Sequence, residues 1–290
     1  MKRFTNILVL YDFEMGADEA LQRGANLALK NDASLTILNV IEDEYQSRDM
    51  LAERRKLMER LCKGFHLSED QLRVVVKQGN KANEALTYIE RFDIDLVVTP
   101  TEHAKGFDKL IGKDTTAELL RGTDCPIWVV RPGSAQYYRT IVVAVNAGKE
   151  NALTCQINRR LLELGASLAE MEMAELKVLY VWNYAQEEKE RLSSELPDEV
   201  RQDIYEKNHF SALSDLVKLV THVLGEPMTA KPVARLGNVE DSIFEYLEET
   251  SADILVSEGT PTSPLMDAIM FNRGLHILNN AKCCVLVSRP

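Results

Sequence analysis

The residues best placed for chemistry in this chain are polar groups that follow apolar runs, and they form no known catalytic motif. Asp12 ends the apolar run 7–12, and Asn146 ends the run 140–146. The five histidines show neither an i, i+4 pair nor HExxH, and the hydrolase, P-loop and dinucleotide fingerprints are also missing from the sequence. We therefore predict a binding protein and not an enzyme, with no catalytic residue and no metal site.

Cysteine usage and the N-terminus indicate the compartment. The five cysteines are an odd number and include no CxxC pair, so we expect reduced thiols and no disulfide framework. The first apolar run lacks a small-residue cleavage site, and no apolar run approaches the length of a membrane span. We predict a cytoplasmic protein whose first apolar run is a strand.

The sequence contains an internal repeat that covers almost its whole length. GANLA at 24–28 matches GASLA at 165–169, and LTILNV at 35–40 matches LKVLYV at 176–181. Further along the chain the offset becomes constant, because Gly79 falls on Gly237, Cys125 on Cys283 and Arg131 on Arg289. A fixed offset over so long a stretch indicates a tandem duplication. We predict two domains, at residues 1–134 and 138–290.

Each repeat alternates apolar runs of strand length with segments of helical spacing. Continuous apolar strands between helices are typical of a parallel sheet covered on both faces. Right-handed crossovers then give an α/β fold of two tandem doubly wound domains, each a five-stranded parallel sheet. The predicted strands are 7–12, 35–42, 72–79, 95–100 and 126–132 in the first repeat, and 140–146, 176–182, 228–237, 253–259 and 283–290 in the second.

These features resemble the universal stress protein family in its tandem-domain form. The resemblance rests on the acid that ends strand one, on the Gly-Asn turn after strand three, and on the segment ELLRGTDCPIWVVRP that precedes and forms strand five. It implies a Rossmann-like universal stress protein fold and a place in the stress response. The family contains both nucleotide-binding and non-binding members.

The resemblance also implies where a nucleotide would bind. ATP-binding members carry a loop G-x-x-G, nine residues, then G-S or G-T after strand four, where glycines let backbone N–H groups approach phosphate. In the first repeat, Pro100 and His103 replace the first two glycines, and Lys113 and Asp114 replace the last pair. Gly106 remains nearby, and Lys113 supplies a positive charge. ATP in domain 1 therefore stays an open alternative.

The second repeat departs further from that loop. Glu258, Pro261, Phe271 and Asn272 stand at the four positions, and a shift by one residue recovers only Gly259. We expect this cleft to favour a small apolar ligand, since prolines and a bulky ring oppose a phosphate cradle. No cofactor is predicted with certainty.

Five more positions are candidate ligand contacts by the resemblance. Asp12 matches the family acid that contacts adenosine, and Asn146 replaces it in the second repeat. Val40 and Val181 match the strand-two position beside the base, and Thr101 opens the strand-four loop. The alternative for Asp12 is a cap of the next turn or helix. The valines are core residues in either case.

The net charge of the chain and the last strand of each repeat indicate which partners to expect. The net charge is −11; residues 1–134 carry 19 basic and 22 acidic side chains, and the remainder carries 15 and 23. Such a chain is expected to bind neither nucleic acid nor an anionic membrane. The resemblance implies that the last strands of the two repeats pair in an internal pseudo-dimer, and a homodimer is a further expectation.

We therefore expect a regulatory or protective protein of the stress response that acts by binding a ligand or partner. One alternative is an ATP-binding switch or slow ATPase at domain 1, resting on Asp12, Gly106 and Lys113. The other is a protein-interaction module that uses the acidic second half.

Overall fold

A computed structural model describes residues 4–42, 48–101, 115–148, 151–192, 196–225, 229–259 and 267–289. The first repeat alternates strands and helices throughout. Its elements are β1 (Asn6–Leu10), α1 (Ala17–Asn31), β2 (Ser34–Ile41), α2 (Arg48–Cys62), β3 (Leu72–Gln78), α3 (Lys81–Arg91), β4 (Leu96–Pro100), α4 (Thr115–Gly122) and β5 (Ile127–Val130).

The strands of the first repeat form a parallel sheet in the order β3-β2-β1-β4-β5. In register, Val9 lies between Ile37 of β2 and Val98 of β4. All three side chains are fully buried. The uninterrupted apolar runs of the sequence are thus explained, because a central parallel strand buries both of its faces.

A glycine lets the first helix of each repeat lie directly on the sheet. A Cβ at Gly24 in α1 would overlap with the Val9 side chain, and a Cβ at Gly165 would overlap with Val143. The repeated GANLA and GASLA segments therefore mark a close helix–strand approach. This is a packing requirement of the fold and not a ligand-binding motif.

The second repeat has the same order of elements with a longer connection between its second and third strands. Its elements are β6 (Thr140–Val145), α5 (Ala152–Glu172), β7 (Glu175–Trp182), α6 (Gln186–Leu192), α7 (Asp198–Leu224), β8 (Ala230–Leu236), α8 (Val239–Glu249), β9 (Ile254–Glu258), α9 (Asp267–Asn280) and β10 (Cys284–Ser288). Four of its strands are parallel neighbours in the order β8-β7-β6-β9. The doubly wound α/β fold class is confirmed.

The chain divides into two compact units. Unit 1 contains the residues up to Gln136 together with Gly259–Leu278 and Cys284–Arg289; unit 2 contains Tyr137–Glu258 and Asn279–Cys283. The last strand, β10, therefore belongs to unit 1. There it pairs antiparallel with β5, with Leu286 opposite Trp128.

Two equivalent arginines make matching contacts beside the β5–β10 pair. Arg131 Nη2 donates to the carbonyl of Leu278 at 3.0 Å, and Arg289 Nη1 donates to the carbonyl of Leu120 at 3.1 Å. The residues of each pair occupy the same positions in the two repeats. Each arginine thus donates to a carbonyl near the end of a helix of the other repeat, α9 for Arg131 and α4 for Arg289. Such reciprocal contacts are typical of a self-complementary interface.

Candidate functional site

The crevice of the first repeat lies at the carboxyl ends of β1 and β4. In the strand order 3-2-1-4-5 the connections from β1 and β4 leave on opposite sides, which makes this the topological switch point where doubly wound folds bind ligands. Of the predicted residues, Asp12 lies two positions after the end of β1, and Thr101 lies immediately after β4. Both are therefore at the crevice.

Asp12 forms an ion pair with a lysine that the sequence analysis did not consider. Lys81 Nζ lies 2.7 Å from Asp12 Oδ2, and the two side chains are only 14% and 17% exposed. The other carboxylate oxygen, Oδ1, accepts a hydrogen bond from the Glu14 backbone N–H at 3.1 Å. Asp12 thus stabilises the turn after β1, as the capping alternative expected, and also pairs with a partly buried cation.

The Gly-Asn turn after β3 positions this lysine. Gly79 has φ +147°, which glycine adopts without strain, and Asn80 caps α3 by accepting a hydrogen bond from the Asn83 N–H at 2.9 Å. Lys81 is the first residue of α3, and its backbone N–H donates to Glu42 Oε1 at 3.4 Å. The sequence signal for Lys81 was its place beside this turn, at the same sheet edge as Asp12.

Polar groups are buried beneath Asp12. Asn39 is 3% exposed, and its Nδ2 donates to the Tyr11 carbonyl at 2.6 Å. The Tyr11 hydroxyl donates to Asp18 Oδ1 at 2.7 Å. Burial, followed by the Asp18 carboxylate, raises the pKa of Tyr11 well above its ordinary value, so the phenol stays protonated. This network holds the end of β1 in a fixed position.

An aromatic residue and an arginine lie beside this network. Phe13 adopts φ 65° and packs edge-to-face on Tyr11, with ring centroids 4.8 Å apart. The guanidinium of Arg54, from α2, lies 4.5 Å from the centroid of the Phe13 ring. A cation over an aromatic face is a favourable contact. The connection after β1 is therefore packed against α2.

The end of β4 is engaged by the protein itself. The backbone N–H and the hydroxyl of Thr101 both donate to the carbonyl of Val130, at 2.9 and 3.2 Å. A Cβ at Gly16 would lie 3.0 Å from Pro132 and 3.4 Å from Pro100. Prolines therefore pack against the β1–α1 connection, and neither has an N–H that could bind phosphate.

In the second repeat, uncharged residues occupy the positions of Asp12 and Lys81. Asn146 is held through its backbone, because its N–H donates to Asn158 Oδ1 at 3.1 Å and its carbonyl accepts from Asn158 Nδ2 at 2.9 Å. Val239, 45% exposed, occupies the position of Lys81. A Cβ at Gly148 would overlap with the hydroxyl of Tyr180. The ring of Tyr180 therefore closes on the loop after β6.

The remaining predicted residues are not gathered into one site. Val40 and Val181 are half-buried on β2 and β7, so the expectation that both are core residues was wrong; each lies next to the carboxyl end of its strand. Gly259 donates its N–H to the Ser288 carbonyl at 2.8 Å, and a Cβ there would lie 2.9 Å from Val287, so packing explains this glycine. Asn272 lies in α9. Gly106 and Lys113 lie outside the described residues.

The described residues contain neither a metal-ligand cluster nor a membrane-spanning helix. No three His, Cys, Asp or Glu side chains in the described ranges converge as metal ligands would. None of the described helices combines the length and apolar character that a membrane crossing requires.

Comparison with known proteins identifies relatives along the whole chain. Residues 3–131 match the universal stress protein family. A universal stress protein E homolog of Haemophilus influenzae is 25% identical, covering 99% of this chain and 98% of its own. Universal stress protein E of Photorhabdus laumondii is 22% identical, covering 100% of this chain and 96% of its own.

Two solved structures have the same fold over nearly the full length. A functionally unknown protein of Pseudomonas aeruginosa superposes with a TM-score of 0.74 at 15% identity, covering 100% of this chain and 94% of its own. A universal stress protein of Archaeoglobus fulgidus gives a TM-score of 0.69 at 14% identity, covering 98% and 96%. The first repeat thus matches the universal stress protein family, and the chain is similar over its full length to two proteins named universal stress protein E or its homolog.

Proposed function

We propose that this protein acts in the stress response as a regulatory or protective binding protein without turnover chemistry, and that ATP is not the physiological ligand of its first repeat. The observation that carries the proposal is the ion pair between Asp12 and Lys81, 2.7 Å apart and mostly shielded from solvent. The acid that would accept hydrogen bonds from a ribose is engaged by a cation of the same domain.

The ion pair opposes a nucleotide for a physical reason. A ribose hydroxyl that reached Asp12 would have to displace Lys81 or share the carboxylate with it. Displacement leaves a partly buried ammonium group without its counter-charge. This loss weakens binding, because a hydrogen bond from a neutral hydroxyl does not compensate for the broken ion pair. Binding of the adenosine part at this edge is therefore expected to be weak.

The end of β4 supports the same conclusion for the phosphates. Thr101 uses both its N–H and its hydroxyl on the Val130 carbonyl, and Pro100 has no N–H to offer. Phosphate sites at strand ends depend on free backbone N–H groups. Few donors therefore remain here among the described residues.

The chemistry of the chain also supports the proposed compartment. The five cysteines, all within the described ranges, are not joined by disulfides, which fits a reducing environment, and we propose the cytoplasm. The partners that we propose are a small, weakly charged ligand at the second repeat and a protein partner of unknown identity. The two repeats themselves are proposed to associate as an internal pseudo-dimer.

A nucleotide switch or slow ATPase at the first repeat is the second candidate function. The observation in its favour is again Lys81, whose ammonium group would attract a triphosphate if Asp12 released it. In that case the ion pair would be a latch that nucleotide binding opens. The two candidates predict opposite results in one titration.

That titration uses the full-length protein, Mg²⁺ and ATP in a calorimeter, beside an Asp12→Ala variant. We expect no heat and no thermal stabilisation of the wild-type protein at millimolar ATP, because a ligand stabilises only a state that it binds. Micromolar binding that Asp12→Ala abolishes would instead support the switch.

A protein-interaction module is favoured by one feature of the second repeat. Of the 27 residues in α7, only Ala212, Leu216 and Val220 are buried, so the N-terminal half of the helix is largely presented to its surroundings. Acidic residues such as Glu199 and Glu206 are exposed there. Loss of partner capture after their neutralisation would support this function, and unchanged capture would count against it.

A further inference from the structure

The helix α2 of the first repeat carries a row of exposed apolar side chains. Met50, Leu57 and Leu61 are 49%, 43% and 41% exposed. They are spaced by seven and four residues, so they share one side of the helix with Arg54. Single exposed apolar residues are ordinary, but several on one helix face are typical of an interaction site. We call Met50, Arg54, Leu57 and Leu61 the α2 row.

Basic residues border the α2 row. Lys56 and Arg60 are exposed, each one position before a leucine of the row. Of residues 50–62, four are basic and two are acidic, in a chain whose net charge is −11. One of the two acids, Glu53, lies on the same side as the row, and the other is paired with Arg55 at 3.0 Å. Positive charge therefore predominates beside the apolar side chains.

The helix between the second and third strands of the second repeat, α7, carries an acidic row. Glu199, Asp203, Glu206 and Phe210 follow one another at spacings of four, three and four residues, and all four are exposed. Phe210 alone is 75% exposed. The buried residues of α7 lie on a different side of the helix, at positions 212, 216 and 220. We call these four exposed residues the α7 row.

The two rows match in length and are opposite in charge. Each spans eleven positions, or about 16 Å of helix at about 1.5 Å per residue. Along paired rows, the long side chains of Lys56 and Arg60 can reach the carboxylates of the α7 row. Phe210 can then cover apolar side chains of the α2 row. Both rows are exposed in the same chain, so each is available to another copy.

The charge of the whole chain favours this partner over a polyanion. A nucleic acid or an anionic membrane would be attracted to the border of the α2 row but repelled by the acidic chain around it. The α7 row supplies the carboxylates that the α2 row requires without adding a large anionic surface. The complement of the α2 row is thus present on the protein itself.

We propose that the α2 row of one copy of this protein binds the α7 row of a second copy. The two surfaces differ, so the contact is heterologous and each copy contributes one row of each kind. A helix pair alone buries less than the roughly 1,200–2,000 Å² of a stable interface, so the association is weak and reversible. The proposal rests on the protein-interaction function of α7 and deepens it by naming the partner.

The test is sedimentation equilibrium of the full-length chain, from micromolar to submillimolar concentration and without ligand. We expect the average mass to rise above that of one chain as the concentration increases. Association should weaken in 1 M salt, where the Debye length falls to about 3 Å. A chain that stays monomeric over the whole range would overturn the proposal.

Two charge-reversal variants test the pairing of the rows. Lys56→Glu with Arg60→Glu makes the border of the α2 row acidic, and Asp203→Lys with Glu206→Lys makes the α7 row basic. Each variant alone presents two rows of like charge, so we expect its self-association to be at least about tenfold weaker than that of the wild type. In an equal mixture each row meets an opposite charge, and association should recover at least about tenfold. Both variants keep a net negative charge, so general attraction would not explain the recovery.

The matched control is Lys77→Glu with Lys218→Glu, which reverses two exposed lysines outside both rows. It changes the net charge as much as the α2 variant does and should associate like the wild type. Equal loss in the control, or a mixture no more associated than the separate variants, would contradict the proposal. So would association that depends on the α2 row alone, because that row would then have another occupant. The experiment contains no ATP and no other protein, so its failure is separate from a failure of the proposed function.

Discussion

At the scale of single residues, the two repeats differ in charge at the position after their first strand. The first repeat has Asp12 there, with Lys81 as its partner across the edge, and the second has Asn146 and Val239 at the same places. Both charges are thus absent together from the second repeat.

Part of the candidate site could be predicted from single residues, and part could not. Asp12 was identifiable because it ends an apolar strand. Lys81 had only a weak signal, its place beside the Gly-Asn turn, because a lysine that begins a helix is ordinarily a solvated residue and its partner is 69 positions away in the chain.

A prediction at this scale concerns Cys62, a buried thiol. Burial, followed by the nearby Glu59 carboxylate, raises the pKa of Cys62 from an ordinary 9.0 to about 11. The stability that the neutral thiol contributes is complete below pH 9 and is lost as the pH rises towards 11, because the unfolded chain ionises first. We expect urea unfolding to show a loss of about 1.4 kcal/mol per pH unit in this window. Cys62→Ala should lack this loss, and an identical pH slope in both proteins would contradict the prediction.

At the scale of elements, the close packing of α1 on β1 and of α5 on β6 requires a glycine in each helix. This requirement explains why the segments GANLA and GASLA are alike and why the repeat could be recognised from the sequence. The fold class could be predicted because buried parallel strands need continuous apolar runs and the two copies preserve them. The antiparallel β5–β10 pair and its two arginines could not be derived from residue patterns, because strand pairing between distant segments leaves no local periodicity.

The prediction at this scale concerns Gly24. A methyl group there would overlap with the Val9 side chain, at a place where both are buried and neither helix nor strand can move freely. We expect Gly24→Ala to destabilise the protein by about 1–3 kcal/mol, the range for overpacked cores. Gly64→Ala, where a Cβ meets nothing within 4 Å, is the control. Equal midpoints of urea unfolding for the two variants would contradict the close approach of α1 to β1 at Gly24.

At the scale of the whole molecule, β5 is protected by β10, which comes from the other end of the chain. All four residues of β5 are buried. A chain that ended at Gln136 would expose this apolar edge, and such edges pair with other chains. We expect the fragment 1–136 to self-associate, as measured by light scattering after size-exclusion chromatography. The full chain at the same concentration should not associate through β5, because β10 covers that edge. A strictly monomeric, folded fragment would contradict this account.

We infer that the Asp12–Lys81 ion pair closes the first repeat to nucleosides, and a titration with adenosine can test this inference. Adenosine carries no phosphate, so the result reports on the carboxylate alone. Lys81→Met frees Asp12, and Lys77→Met, an exposed lysine on β3, is the matched control. We predict that Lys81→Met binds adenosine at least about tenfold more tightly than the wild-type and Lys77→Met proteins. Wild-type binding that equals or exceeds that of Lys81→Met would contradict the claim.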